Sequence, residues 1–227
     1  MRRLYLAFIF MLASPFALAS GVADLSSNEA GSGLKAALTK GAEFAVSNLG
    51  KQDGFLGNPK VKIPLPDSLK KAEKTLRAVG MGKYADELTT TMNHAAEQAV
   101  VEAKPILVNA ISNMSWQDAK GILSGGEDAA TQYFKRTTSG QLTQKFLPVV
   151  KKATGKVKLT EQYNKFAGKA AGIGLIGKKD ADLDSYVTNK ALDGLFLMIA
   201  EEEKNIRKNP LAAGSDLLKK VFGAIGH

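Results

Sequence analysis

The segment from Leu183 to Gly223 places the strongest constraint on the fold of this 227-residue chain. It begins amphipathic, becomes fully apolar from Leu195 to Ala200, and then changes to the charged run EEEKNIRK before Asn209-Pro210. A proline cannot continue a helix, because it lacks the backbone N–H and crowds the preceding turn. The pattern predicts a long helix with a buried middle and a charged end, followed by a short amphipathic helix.

Residues 1–19 have the features of a secretory leader. Arg2 and Arg3 precede an apolar stretch from Leu4 to Leu18, and Ala17-Leu18-Ala19 matches a small-x-small cleavage pattern. The stretch is shorter than the roughly 18 residues that a spanning helix needs. We therefore expect a signal peptide cleaved after Ala19 and a periplasmic protein. A lipoprotein is not expected, because the chain has no cysteine.

Apolar residues recur every three or four positions through most of the remaining chain, as they do on the buried face of a helix. This spacing predicts helices from Leu34 to Gly50, after Asp67, and from Lys83 to Met114. Because Pro105 lies inside the third pattern, we expect a kink or break near Lys104.

Shorter helices are predicted in the second half of the chain. Ser115 caps one that ends at Leu123, and the next ends at about Arg136. Ser139-Gly140 is expected to begin a further helix, which Pro148 disturbs.

The fold class that follows is all-α: a multi-helix bundle forming a single domain over residues 34–223, after a flexible segment at 20–33. One minor two-stranded ribbon or extended arm is expected around residues 60–65 and 156–159. Val61, Ile63 and Leu65 occupy alternate positions there, and Pro59, Pro64 and Pro66 exclude a helix.

Composition removes several classes of function. With no cysteine and only two histidines, disulfides and thiolate sites are excluded, and a histidine-based metal site or Ser-His-Asp triad is disfavoured. The formal net charge of +9 is explained best by a basic solvated surface. An acidic protein partner, an anionic membrane surface or an amphiphilic small molecule stay open as partners. No nucleic acid is expected, because no aromatic-basic binding motif is present.

Two motifs between residues 172 and 184 resemble ligand sites but fail on composition. Gly172–Lys179 has the spacing of a phosphate loop, yet Lys179 stands where a hydroxyl would bind magnesium. Asp180–Asp184 has the alternate aspartates of a calcium loop, but the required later glycine and glutamate are absent. We therefore predict no cofactor and no metal site.

Asn93 and Glu97 are four residues apart and so share one face of a helix. They could contact a polar ligand. A buried polar network between closely packed helices is the favoured interpretation, since buried polar groups are normally paired.

Glu127, Thr131, Tyr133 and Arg136 follow a Gly-Gly turn. A carboxylate beside a tyrosine can perform acid–base chemistry. Acids favoured by the helix dipole, next to core aromatics, are the stronger interpretation.

Glu202 and Arg207 lie in the charged end of the long helix. Most of that charge is explained by local helix stabilisation. Arg207 is also suited to bind a carboxylate or phosphate. These eight residues are the ligand or partner candidates, and none is assigned a catalytic role.

A further set of stretches resembles a known family. These are residues 53–59, 61–66, 93–97, 122–134, 191–196, 201–210 and 216–223. The family they resemble consists of exported bacterial proteins catalogued as domain of unknown function 4197. The resemblance covers nearly all of the chain after the leader, and it implies an exported, mainly helical protein without assigning an activity or ligand. Where the resemblance would place arginine after Asn93, this chain has His94.

Three functions are carried forward. The leading hypothesis is a non-enzymatic periplasmic binding or interaction module, because no intact catalytic or metal motif is present. The alternative is a carrier of an apolar or amphiphilic ligand, since helical proteins can open an apolar cavity between helices. A hydrolase using carboxylates and tyrosine is the least favoured, so an enzymatic role is left uncertain and disfavoured.

Overall fold

The computed structural model describes residues 27–156, 160 and 182–209, and within these ranges it is built from helices without a strand. This confirms the predicted all-α fold. The predicted signal peptide, the Gly172–Lys179 motif and the last amphipathic helix lie outside the described residues. No helix in the described ranges combines the length and apolar character needed to cross a membrane.

The helices are α1 (Ser27–Gly50), α2 (Asp67–Ala78), α3 (Lys83–Val100), α4 (Ala103–Ser112), α5 (Trp116–Ser124), α6 (Ala129–Thr154) and α7 (Leu183–Lys208).

Helix α7 is the predicted long helix, and it packs against α1, α3 and α6. Asp182 caps its start by accepting from the backbone N–H groups of Asp184 and Ser185. The apolar run was expected to be wholly core, but Leu197 is 41% exposed. Consecutive residues of a helix point in different directions, so six in a row cannot all face the interior.

Helix α6 runs antiparallel to α7. Thr154 at its end donates a hydrogen bond to buried Asp184 near the start of α7, while the start of α6 contacts the end of α7 through Glu203. The prediction of separate helices interrupted near Arg136 is wrong, because α6 is continuous and contains Pro148. The hydroxyls of residues 137, 138 and 139 each donate to the carbonyl four residues earlier, so these polar residues are accommodated within the helix.

Helix α1 begins at Ser27, so the part of the predicted flexible segment from 27 to 33 is helical. Packing explains the difference: Ala30 is buried, and a Cβ on Gly31 would lie 3.7 Å from the ring of Trp116. This tertiary contact outweighs the low helix propensity of the local sequence.

The long helical pattern is broken as expected at Pro105. α3 ends at Val100, and α4 begins at Ala103. Pro105 therefore lies in the first turn of α4, where its missing N–H has no intrahelical partner to lose.

Residues 51–66 form a loop between α1 and α2. No strand is present at residues 60–65, so the ribbon is not formed by the described residues; 157–159 lie outside them. Val61, Ile63 and Leu65 are nevertheless buried. The groups that hold this loop in place belong to α3 and α7.

Candidate functional site

Asn93 is fully buried and fixes the loop to α3. Its Oδ1 accepts a hydrogen bond from the Ile63 N–H at 2.8 Å, and its Nδ2 donates to the Ile63 carbonyl at 2.9 Å. Nδ2 also donates to the Thr89 carbonyl at 2.8 Å. The side-chain amide thus pairs with Ile63 as a neighbouring strand would. It satisfies the N–H and the carbonyl of Ile63, which have no partner strand.

Glu97, one turn further along α3, is buried and binds three backbone N–H groups of the same loop. Oε1 accepts from Phe55 at 3.0 Å and Leu56 at 3.1 Å, and Oε2 accepts from Asp53 at 3.2 Å. Phe55 is fully buried, and its ring lies so close to Gly194 that a Cβ there would be 2.7 Å from it. The loop is therefore held by a carboxylate from one helix and by ring packing on another.

His94 completes this cluster on its exposed side. Its Nε2 is 3.1 Å from Oδ1 of Asp53 and 3.9 Å from Oε2 of Glu97. Asp53 has φ of 59°, in the left-handed region that non-glycine residues rarely adopt. Sequence reasoning paired Asn93 with Glu97 and missed His94 and Asp53. The signal that was present is the His94-x-x-Glu97 spacing on one helix.

Glu203 forms a second buried cluster at the far end of α7. Oε1 accepts from the Ala130 N–H, and Oε2 accepts from both the N–H and the hydroxyl of Thr131, all at 2.9 Å. Glu203 therefore caps α6 from another helix, where a carboxylate is favoured by the exposed N–H groups.

Arg207 pairs with Glu203 in this cluster. Its Nε and Nη2 lie 3.1 and 2.8 Å from Oε1, and Nη2 also donates to the Ile122 carbonyl at 2.9 Å. The neighbouring Ile206 is buried against Gly41 of α1. The adjacency of Ile206 and Arg207 is thus explained by docking of α7 on α1 and α5.

Tyr133 and Arg136 lie on α6 beside a cavity of about 360 Å³. The Tyr133 hydroxyl donates to the Ala110 carbonyl at 2.8 Å, and burial raises the pKa of this phenol. The Arg136 guanidinium is 3.5 Å from Asp118 and 5.6 Å from the centre of the Tyr133 ring. These contacts orient the tyrosine towards a backbone carbonyl.

Glu127 and Glu202 lie in surroundings that differ from those of the buried clusters and of Tyr133. Glu127 forms an exposed ion pair with Lys204 at 2.7 Å, and that hydrogen bond lowers the pKa of Glu127. Glu202 accepts from Asn205 at 3.4 Å and lies beside Gly41. The eight candidates therefore occupy separate clusters and do not converge on one cavity.

A larger groove of about 960 Å³ lies between residues 64–68, α6 and α7. Lys135 lies 5.9 Å from the centre of the Phe196 ring, and Lys190 lies 6.0 Å from the centre of the Tyr186 ring. The Tyr186 hydroxyl donates to the Pro64 carbonyl at 3.0 Å, which joins two of the walls. The sequence did not predict this groove, because three distant segments contribute to it. Its other lining residues include Leu65, Pro66, Asp67, Ser139, Thr143, Asn189, Leu192 and Asp193.

A family model described as "Protein of unknown function (DUF4197)" matches residues 24–223. The chain belongs to the DUF4197 family. This confirms the resemblance recognised in the sequence. Searches of curated proteins and of solved structures found no match to this DUF4197 chain. Its function must therefore be argued from the groove and the buried clusters themselves.

Proposed function

We propose that this DUF4197 protein is an exported, non-enzymatic binding protein whose ligand is an amphiphile with an anionic end. The groove between residues 64–68, α6 and α7 is the observation that carries the proposal. Its volume of about 960 Å³ lies in the range of sites that enclose small ligands. An amphiphilic partner matches a lining that combines aromatic and aliphatic side chains with lysines.

Different side chains of the groove would bind the apolar body and the anionic end of the ligand. Leu65, Leu192 and Phe196 supply apolar surface for an alkyl or aromatic body. Lys135 and Lys190 supply ammonium groups for a carboxylate, phosphate or sulfate end. Lys190 is 3.8 Å from Asp193, whereas no carboxylate among the described residues pairs with Lys135. An anionic ligand can therefore reach Lys135 without displacing an acidic side chain.

The surroundings of the polar candidates support binding over catalysis. The Glu203 carboxylate already accepts from three protein groups besides Arg207, and the Tyr133 hydroxyl is committed to a carbonyl. General acid–base catalysis needs a group within reach of a substrate proton. Neither Glu203 nor Tyr133 is among the residues that line the groove, so the lining supports recognition of a ligand.

The test uses full-length, untagged protein and a fluorescent long-chain fatty acid, with its methyl ester as the uncharged probe. We expect saturable binding of the acid, and Lys135→Ala should weaken it about 10-fold, which corresponds to loss of one charge-assisted contact. The ester should lose little affinity in the same variant. Lys120→Ala, which removes an exposed lysine of α5 outside the groove, is the matched control. Absence of saturable binding, or equal losses in both variants, would overturn the proposal.

Export is tested separately from binding. Expression in a Gram-negative host, followed by cell fractionation and N-terminal sequencing, should place the protein in the periplasm with Ser20 as its first residue. A cytoplasmic chain retaining residues 1–19 would contradict the export part of the proposal and leave the binding part to its own test.

A further inference from the structure

We infer that Asp53, His94 and Glu97 form a binding site for a divalent transition-metal ion such as zinc. The inference is independent of the groove and of its ligand. One oxygen or nitrogen atom from each side chain lies within 4.8 Å of the other two. These atoms come from a loop and from one face of α3, so the fold brings together groups separated by 41 residues.

Two of the three distances between ligand atoms are close to those that a metal requires. Zinc binds nitrogen and oxygen at about 2.0–2.2 Å, so tetrahedral ligand atoms lie roughly 3.3–3.6 Å apart. Nε2 of His94 is 3.1 Å from Asp53 and 3.9 Å from Glu97. The third distance, between the Asp53 and Glu97 oxygens, is at most 4.8 Å, so the two outer side chains would have to close in on the ion. Both can move, since 38% of the His94 side chain and 52% of the Asp53 side chain are exposed.

Glu97 is the side chain of the three that is held in place by backbone hydrogen bonds. Two backbone N–H groups occupy Oε1, and only one, that of Asp53, donates to Oε2. A carboxylate oxygen has two lone pairs, so Oε2 retains one that can coordinate a cation. Because the backbone hydrogen bonds already orient this carboxylate, little ordering is needed on metal binding.

The charge and chemistry of the three groups favour a metal of the zinc type. The two carboxylates supply negative charge that a divalent cation neutralises, and the imidazole supplies a nitrogen ligand. Imidazole suits zinc, copper, iron and nickel better than calcium or magnesium, which prefer all-oxygen sites. Three protein ligands with an exposed outer side leave a position for water, as in open zinc sites.

A protonated His94 is the competing explanation, because it would pair with the two carboxylates as the expected arginine would. His94→Arg separates the two roles: it preserves a cation at this position and removes the metal ligand. His94→Gln removes both.

The test is isothermal titration of metal-free, untagged full-length protein with zinc chloride. We expect saturable binding of one ion per chain. His94→Arg and His94→Gln should weaken it by about 100-fold or more, with thermal unfolding of the metal-free His94→Arg protein unchanged. Asp53→Asn should also weaken binding.

His227→Ala is the matched control, because His227 is the other histidine of the chain and lies far from His94 in sequence. This variant should bind zinc like the wild type. The inference is wrong if the wild type shows no saturable binding, if His94→Arg binds like the wild type, or if His227→Ala loses the site.

Discussion

Two buried glutamates perform the same structural task at different places in the molecule. Glu97 of α3 accepts from three backbone N–H groups of the 51–66 loop. Glu203 of α7 accepts from two N–H groups and one hydroxyl at the start of α6. Each ties a distant segment to a helix by satisfying donors that would otherwise be buried without partners.

They differ in the group that balances their charge. Glu203 is paired with Arg207, whose side chain is only 14% exposed and whose guanidinium is permanently charged. Glu97 has no buried cation among the described residues; its neighbour is the partly exposed His94 at 3.9 Å. The Glu203 cluster is therefore complete as a structural unit, whereas the Glu97 cluster keeps coordinating capacity on its outer side.

The largest effect is expected for Glu203→Ala. It removes the cap of α6 and leaves Arg207 buried without its carboxylate, so the free energy of unfolding should fall by about 3–5 kcal/mol. Urea denaturation followed by circular dichroism measures it. Lys204→Ala, which breaks the exposed ion pair with Glu127, is the control and should change stability much less. Similar losses in both variants would contradict a special role for the buried pair.

Glu97→Ala should cost less, about 2–3 kcal/mol, because no buried arginine loses its carboxylate and part of the loop can take up water. The loop should also become more sensitive to limited proteolysis, with cleavage mapped by mass spectrometry to residues 51–66. If Glu97→Ala lowered the free energy of unfolding as much as Glu203→Ala, the two clusters would not differ in the way proposed. Arg207 would then contribute nothing to the loss in Glu203→Ala. Unchanged proteolysis would show that the carboxylate does not hold the loop.

Gly194→Ala tests the other attachment of the same loop. The added Cβ would lie 2.7 Å from Phe55, whose ring is fully buried, so we expect a loss of about 1–3 kcal/mol in urea denaturation. Gly140→Ala is the matched control: this glycine is inside α6 with nothing within 4 Å of the added carbon. It should stabilise the protein by about 0.5–1 kcal/mol. The same sign in both variants would remove ring packing as a cause.

The helices were predictable because their signals are local. The bounds of α7, the break at Pro105 and the absence of a helix at residues 59–66 all follow from residues near one another in the chain. The start of α1 and the continuity of α6 were not predictable in the same way. The start of α1 depends on the packing of Trp116 on Gly31, which no short window of sequence contains. In α6 the hydroxyls of residues 137–139 bond to carbonyls of the same helix, whereas such residues are also typical of turns.

The clusters were predictable only in part for the same reason. The buried network at Asn93 and Glu97 was the favoured interpretation, but its partners lie in a loop about 30–44 residues earlier in the chain. Glu203 lies four residues before Arg207, a spacing that favours a helical ion pair, but its contacts with the start of α6, 72 and 73 residues away, had no local signal. Sequence spacing identifies which face is polar, and the fold determines what that face contacts.

Tyr133→Phe should have the smallest effect on the free energy of unfolding, because it removes one hydrogen bond between two uncharged groups. Tyr133 lies on α6, close to the Glu203 cluster. Loss of the hydrogen bond to the Ala110 carbonyl should cost about 1 kcal/mol at pH 8. Burial raises the pKa of Tyr133 above its ordinary value of 10.0, so the folded protein favours the neutral phenol. This contribution is fully present below the unfolded-state pKa and is lost as pH rises through the folded-state pKa.

The stability difference between wild type and Tyr133→Phe should therefore shrink above about pH 10, as measured by urea denaturation at a series of pH values. Tyr84→Phe, which changes a tyrosine that is 42% exposed, is the matched control. A constant difference from pH 8 to 11 would mean that folding does not shift the pKa of Tyr133, which would contradict the effect of burial on this phenol.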